Sequence, residues 1–353
     1  MKFDREVIDS HIHPRDLYPR SGRDCRDTLK EYQDSRGFQA INLTAIPSCG
    51  RDVRVNIAAA IFKLRYPENY IHGGLLYDTY PVVGQMPEGM DFLTQYRELM
   101  EIGFDGIKMI EAKPNCAKLI GRAVTDEIFD PFFDAAEKDG THMIWHVADP
   151  EVNWDVTKIL PEHLKRGWFY DESFPTQEAL FEQVYTVLDR HPNLNSAFAH
   201  FFFRSHFPEQ VEIMFRKYPN VAVDLTPGRE MYEAFGERRE YFRDFFTRYA
   251  DRIVYGTDAD DEKELKYNNQ RSDTVYDFLT TDKELHEWNY TFKGLKLEAE
   301  AADKILCGNF RRRVSEKPKP MNREALKAYV KKYRHLIASD ESRRRIDEEM
   351  DKL

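Results

Sequence analysis

Apolar residues along this 353-residue chain recur in short dense runs, each closed by a polar or proline-containing turn. The runs are VIDSHIH (7–13), AINLTAIP (40–47), YIHGGLLY (70–77), DGIKMIE (105–111), THMIWHVAD (141–149), LNSAFAHFF (194–202), VAVDLTP (221–227) and RIVYGTDAD (252–260). Most are short, apolar on both faces and rich in isoleucine and valine, which is how strands buried on both sides read. Between them the spacing changes to the rhythm of an amphipathic helix, as in MDFLTQYRELMEIGF (90–104), EIFDPFFDAAEKDG (127–140) and PEQVEIMFRKYP (208–219). Several of these stretches end in glycine or run into proline, as helix stops do.

Eight strands alternating with helices form either an open doubly wound sheet or a closed barrel. No glycine-rich phosphate loop follows the first strand, which counts against a dinucleotide-binding sheet. Eight repeats over about 310 residues predict an α/β fold of the (β/α)8 TIM barrel type. The connection 150–193 is too long for a simple loop and predicts a flap over one face after the fifth strand. After residue 313, KPKPMN reads as a linker into a charged C-terminal helix over 322–337. The expected organisation is therefore a barrel over 1–313, with 314–353 as a linker and helical extension packed on or beside it.

Composition narrows the function classes. Apolar residues make up 41%, with 24 Phe and 19 Tyr, enough for a sizeable core. A formal charge of −10 and the lack of a basic stripe argue against nucleic-acid binding. The triplets Arg311-Arg312-Arg313 and Arg343-Arg344-Arg345 read as solvated helix faces. Cysteines 25, 49, 116 and 307 contain no close pair; they form neither a zinc knuckle nor a disulfide framework and suit a reducing compartment. MKFDREVIDSHIHP has no apolar signal core, and no run reaches the roughly 18 apolar residues of a membrane span. The expectation is a cytoplasmic protein acting on a small molecule, without nucleic-acid or membrane partners; self-association is left open.

In an α/β barrel, function sits at the C-terminal ends of the strands. Here those ends carry His11 and His13, Lys108, His146, His200 and Asp258. Side chains alternate along a strand, so His11 and His13 share one face, with Ile8 and Ile12 on the other. Lys108, flanked by Ile107 and Met109, is expected to point into the barrel, and the same parity places His146, His200 and Asp258 inward. Imidazoles and a carboxylate converging at one mouth suit a divalent metal such as Zn²⁺, Mn²⁺ or Fe²⁺. Arg15, Arg204 and Arg229 are candidates for a cationic rim, and Trp154, Trp168 and Tyr170 for closing over a ligand. The bland alternative for each is ordinary surface charge or packing of the flap. His72, His142, His163, His191, His206, His286 and His335 are assigned structural or surface roles.

DSHIHP at the first strand, WHVADP at the fifth, AHFFF at the sixth and YGTDAD at the eighth resemble the amidohydrolase superfamily, specifically its amidohydrolase-related branch. That branch contains hydrolases, lactonases and non-oxidative decarboxylases, and the resemblance covers about residues 5–313. It implies that His11, His13 and His146 bind a metal, most simply one Zn²⁺, and that Asp258 ligates or closely approaches it and shuttles a proton. It implies for His200 either a second metal or substrate contact. Lys108 is either a carboxylated bridge between two metals or a plain amine that meets a substrate carboxylate or Glu111. Arg15, Lys108, Arg204, Trp154 and Tyr170 are the expected substrate contacts. The reaction implied is hydrolysis of an amide, lactone or ester, with non-oxidative decarboxylation of a small acid as the alternative. A non-catalytic barrel that binds a small acid is the third reading.

Overall fold

A computed structural model describes residues 2–17, 22–48, 51–77, 88–287 and 290–353. The sheet holds nine parallel strands: β1 Ile8–His13, β2 Ala40–Thr44, β3 Tyr70–Gly74, β4 Gly106–Ala112, β5 His142–Val147, β6 Ser196–Phe198, β7 Val221–Asp224, β8 Ile253–Val254 and β9 Ala259–Asp260. Each of β1 to β7 pairs with the next strand in sequence, β7 pairs with β8, and β9 pairs with β1. β8 and β9 are two halves of one pass of the chain, the run 252–260, broken around Asp258. That pass closes the sheet into an α/β barrel of the TIM type, with helices outside. An antiparallel hairpin, β10 Glu284–Glu287 and β11 Tyr290–Lys293, is added after the barrel.

The helices form where spacing and caps place them. The stretch 90–104 becomes a helix over Phe92–Ile102, capped by Asp91 and ended by Gly103 in the left-handed region at φ 108°. The stretch 127–140 becomes Asp130–Asp139 and ends the same way at Gly140. In the long connection, a short 3₁₀ turn at Glu151–Trp154 and a helix at Pro161–Lys165 form the flap, and Gln177–Arg190 is the barrel helix proper. The C-terminal extension has two helices rather than one, Arg323–Tyr333 and Asp340–Met350. The first packs Leu326, Tyr329, Val330 and Tyr333 inward, and Tyr333 Oη donates to Glu98 at 2.7 Å. Arg344 and Arg345 pair with Glu341 on an exposed face.

The strand interior is layered. At the bottom Ile8, Ala40, Tyr70, Ala197, Ala222 and Val254 meet across the barrel, closed from below by Phe310. Above them His72 Nε2 lies 2.8 Å from His142 Nδ1, and His72 Nδ1 lies 2.8 Å from Asn42 Oδ1. These two histidines fill the barrel, as their structural assignment anticipates. Gly106 is required beside them, since a Cβ there would lie 2.4 Å from His72 Nε2.

One expectation about β1 is corrected. Ile8 faces the barrel interior, while Ile12 belongs to the outer core. The pairing register with β2 shifts between Asp9 and Ile12, and this irregularity switches the inward parity before His11. Cysteine pairing is corrected as well: Cys25 and Cys307 are buried and free, whereas Cys116 is disulfide-bonded. No described helix is long and apolar enough to cross a membrane.

Candidate metal centre

The ends of β1 and of the 252–260 pass bring His11, His13 and Asp258 together, with one ligand atom of each within 4.8 Å of the others. His11 and His13 are buried; the Asp258 side chain is 31% exposed and faces the cavity above. Asp258 sits at φ 57°, and its N–H donates to His11 O at 2.9 Å. Ile107 and Met109 pack in the outer core, and Lys108 points inward, its Nζ 2.9 Å from His11 Nε2.

The backbone at this mouth is unusual. Among the described residues, the non-glycine positions at positive φ are Ala148 after β5, His200 to Phe203 after β6, Asp258, and one distant residue, Lys296. Left-handed backbone costs an L-residue roughly 1–2 kcal/mol. Four such residues in a row at His200–Phe203 mark a site where the fold holds strain for a purpose. His200 and Asp258 are therefore aimed by left-handed turns, not by the strand alternation that sequence spacing suggests.

Hydrogen bonds fix which imidazole nitrogen carries the proton. His11 Nδ1 donates to Asp224 Oδ2 at 2.8 Å, His13 Nδ1 to Thr44 O at 2.8 Å, and His200 Nδ1 to Thr226 O at 3.1 Å. Carbonyls and carboxylates only accept, so each of these rings presents Nε2 as a lone pair. His146 has the opposite arrangement: its Nε2 faces Ala148 O at 3.0 Å and Asp149 Oδ1 at 3.1 Å, leaving Nδ1. Its ring lies 4.9 Å from that of His200, outside the tight group of three.

Burial, reinforced by the nearby Lys108 charge, lowers the His11 pKa, and burial lowers that of His13 well below the imidazole range. Burial alone would raise Asp258, but the hydrogen bond and charge of His13 outweigh it and hold the carboxyl well below its usual range. His13 Nε2 and Asp258 Oδ1 face each other at 3.0 Å. With His13 Nδ1 committed to Thr44 O, this contact is held either by a second proton on the ring or by a cation between the two atoms. The donor set therefore fits a divalent metal. Burial lowers Lys108 to about 8 and raises Glu111 to about 7; the Glu111 carboxylate is tied to Ile110 N through Oε2, and Oε1 has no hydrogen-bond partner.

Over this group lies a cavity of about 230 Å³, walled by the flap. Its lining includes His146, His200 and Asp258 with Lys113, Asp149, His163, Arg166, Trp168, Phe203, Tyr267 and Arg271. The residues expected to touch substrate lie elsewhere. Arg15 pairs with Asp260 at 3.2 Å, and Arg204 stacks on Phe181 at 3.8 Å. Trp154 Nε1 donates to Pro175 O and packs on Tyr170, whose hydroxyl is bound by Asp149. Lys108 lies below the cavity on His11, and the Arg229 side chain is outside the described residues. These groups build and pin the mouth, because each aromatic or cation finds a closer partner there than the cavity.

Sequence reasoning missed Lys113, Asp149, Asp224 and Arg271. Asp149 and Asp224 were visible as acids closing the apolar runs HVAD and VAVD. Arg271 carried no local signal, since it reaches the mouth from the middle of the helix Leu265–Thr280. His163, assigned a structural or surface role, lines the cavity and packs edge-on against Trp168.

Known proteins share this fold. Solved structures of similar fold include 2,6-dihydroxybenzoate decarboxylase from Rhizobium, with TM-score 0.53 and 14% identity over 88% of this chain and 98% of that one. The IDCase of Metarhizium anisopliae in apo form gives 0.55 and 13% over 88% and 97%. The 4-oxalomesaconate hydratase of Rhodopseudomonas palustris gives 0.50 and 14% over 94% and 99%. At these identities the likeness shows the shared barrel. No curated protein matches the chain. The family described as Amidohydrolase matches residues 79–312, well over half of the chain. The protein is thus an enzyme of hydrolase or carboxy-lyase type that belongs to the amidohydrolase family.

Proposed function

We propose that the protein is a metal-dependent hydrolase of a small, carboxylate-bearing amide, lactone or ester. The observation that carries this reading is the convergence of His11, His13 and Asp258, with one ligand atom of each within 4.8 Å of the others. His11 and His13 through Nε2 and Asp258 through its carboxylate would hold the ion, most simply one Zn²⁺, with Mn²⁺ or Fe²⁺ suited to the same donors. His146 would add Nδ1, and His200 Nε2 stands next to it for a second ion or for substrate. A divalent ion bound there lowers the pKa of water to about 7 and polarises a carbonyl. Asp258, kept ionised by His13, accepts the proton of the attacking water and returns it to the leaving group. The flap, pinned through Tyr170 and Asp149, excludes bulk water from that transfer.

Decarboxylation is the second reading, supported by the aromatic walls Trp168, Phe203 and Tyr267, which suit a flat acid. On that route Asp258 would deliver its proton to the carbon that loses CO2. A panel of lactones, amides and aromatic acids assayed for acid release and for CO2 release separates the two. Hydrolysis without CO2 supports the first reading, and CO2 release from an aromatic acid replaces it with the second.

The catalytic unit in this reading is the barrel, 1–313, and 314–353 is an extension that braces it. A cytoplasmic location belongs to the proposal: the buried free thiols Cys25 and Cys307 support it, and the Cys116 disulfide stands against it.

A further inference from the structure

Three cations line the cavity, and they differ in what they have left to give. Lys113 is bound to Asp149, lies 3.4 Å from His146 Nε2 and sits 5.1 Å from the Trp168 ring. Arg166 is exposed at the rim and stacks on the same Trp168 ring at 4.9 Å. Arg271 is only 7% exposed, yet its guanidinium is underused. Nη2 donates to Pro227 O at 2.8 Å. Nη1 reaches Asp258 O at 3.4 Å and stands 3.6 Å from Asp258 Oδ2, beyond a good hydrogen bond. Nε has no hydrogen-bond partner. Glu287, the other carboxylate whose field Arg271 feels, forms no ion pair with it among the described residues.

A buried guanidinium with unspent donors is costly unless something accepts from it. The group that matches its flat fork is a carboxylate, bound through two parallel hydrogen bonds. The space beside it is small, about 230 Å³, and flanked by Trp168, Phe203 and Tyr267. We propose that Arg271 is the anchor in this cavity for the carboxylate of the substrate named under the proposed function. Its carboxylate rests on Arg271, and the rest of the molecule extends toward His11, His13 and Asp258. The inference rests on the proposed function for the identity of the reacting end, but the anchoring itself needs no turnover.

The test is binding of benzoate against benzamide, measured by calorimetry on the full-length, metal-loaded protein. The two probes share shape and differ in the charge that Arg271 would recognise. Wild type is expected to bind benzoate at least tenfold more tightly than benzamide. Arg271→Gln, which can still donate to Pro227 O and so keep the local fold, is expected to lose that preference while benzamide affinity stays level. Arg271→Lys is expected to fall between them, as a point charge without the fork. Equal affinity of wild type for the two probes, or an unchanged benzoate preference in Arg271→Gln, overturns the proposal. Repeating the titrations on chelator-treated protein keeps the two readings apart: a benzoate preference that survives metal removal and still depends on Arg271 supports the anchor whatever becomes of the metal reading, and a wild-type preference that disappears with the metal overturns the anchor.

Discussion

The His11 imidazole donates its Nδ1 proton to Asp224 Oδ2 at 2.8 Å, with both side chains about 1% exposed. This pair does what a carboxylate behind a metal-binding histidine does: it fixes the tautomer and strengthens the opposite nitrogen as a donor. Asp224 Oδ1 meanwhile accepts from the backbone His200 N at 2.9 Å and Thr226 N at 3.0 Å, so one carboxylate holds the His11 ring and the backbone that carries His200. Asp224→Asn keeps an acceptor for those amides but turns an N–H₂ toward His11 Nδ1. We expect metal affinity to fall by about 10–100-fold with the fold retained, measured by competition with a chelator and by circular dichroism. Unchanged affinity would mean that His11 needs no such partner.

Glu111 supplies a test through stability. Burial raises its pKa from 4.5 to about 7. The folded state therefore holds a proton there that the unfolded chain has lost, and stability falls as pH rises between about 4.5 and 7. Glu111→Gln removes that proton, so its stability relative to wild type should improve across this interval, by up to about 3 kcal/mol. Urea denaturation at pH 5 and pH 8 measures the difference. A gap that does not change with pH would show that Glu111 is ionised throughout.

The barrel itself was legible because strands buried on both faces leave dense apolar runs, and all eight of those runs became strands or strand pairs. The flap was legible from length alone. What spacing misplaced was direction. The register shift in β1 and the left-handed turns at His200 and Asp258 depend on tertiary constraint, and neither leaves a period in the sequence. The cavity lining was the least legible part: Arg15 and Arg204 follow strand ends but are held by Asp260 and Phe181, while Arg271 enters from a helix.

Lys108 separates a one-ion from a two-ion centre. Its Nζ lies 2.9 Å from His11 Nε2, and burial brings its pKa down to about 8, so the ammonium still dominates at pH 7 beside a minor share of neutral amine. The one-ion account expects Lys108→Met to keep the wild-type metal content and added bicarbonate to have no effect on reconstitution. Two ions in wild type, falling in the variant and restored in wild type by bicarbonate, would instead make Lys108 a carboxylated bridge.

In the proposed function Asp258 is both a metal partner and the proton carrier, and Asp258→Asn divides the roles. The amide keeps one coordinating oxygen and cannot accept a proton. We expect most of the metal to remain while kcat falls by roughly 10²–10⁴-fold. Because His13 holds the Asp258 carboxyl below its usual range, the wild-type acidic limb should lie low on the pH scale and vanish in the variant. Near-normal turnover would move the base elsewhere, with His200 as the next candidate.

The most direct test of the whole account is the divalent-metal content of purified protein by elemental analysis, wild type beside the His11→Ala, His13→Ala double variant. Wild type should carry about one ion per chain, and the variant almost none, with activity lost in step. Wild-type protein that is free of metal and still turns over its substrate would contradict the account.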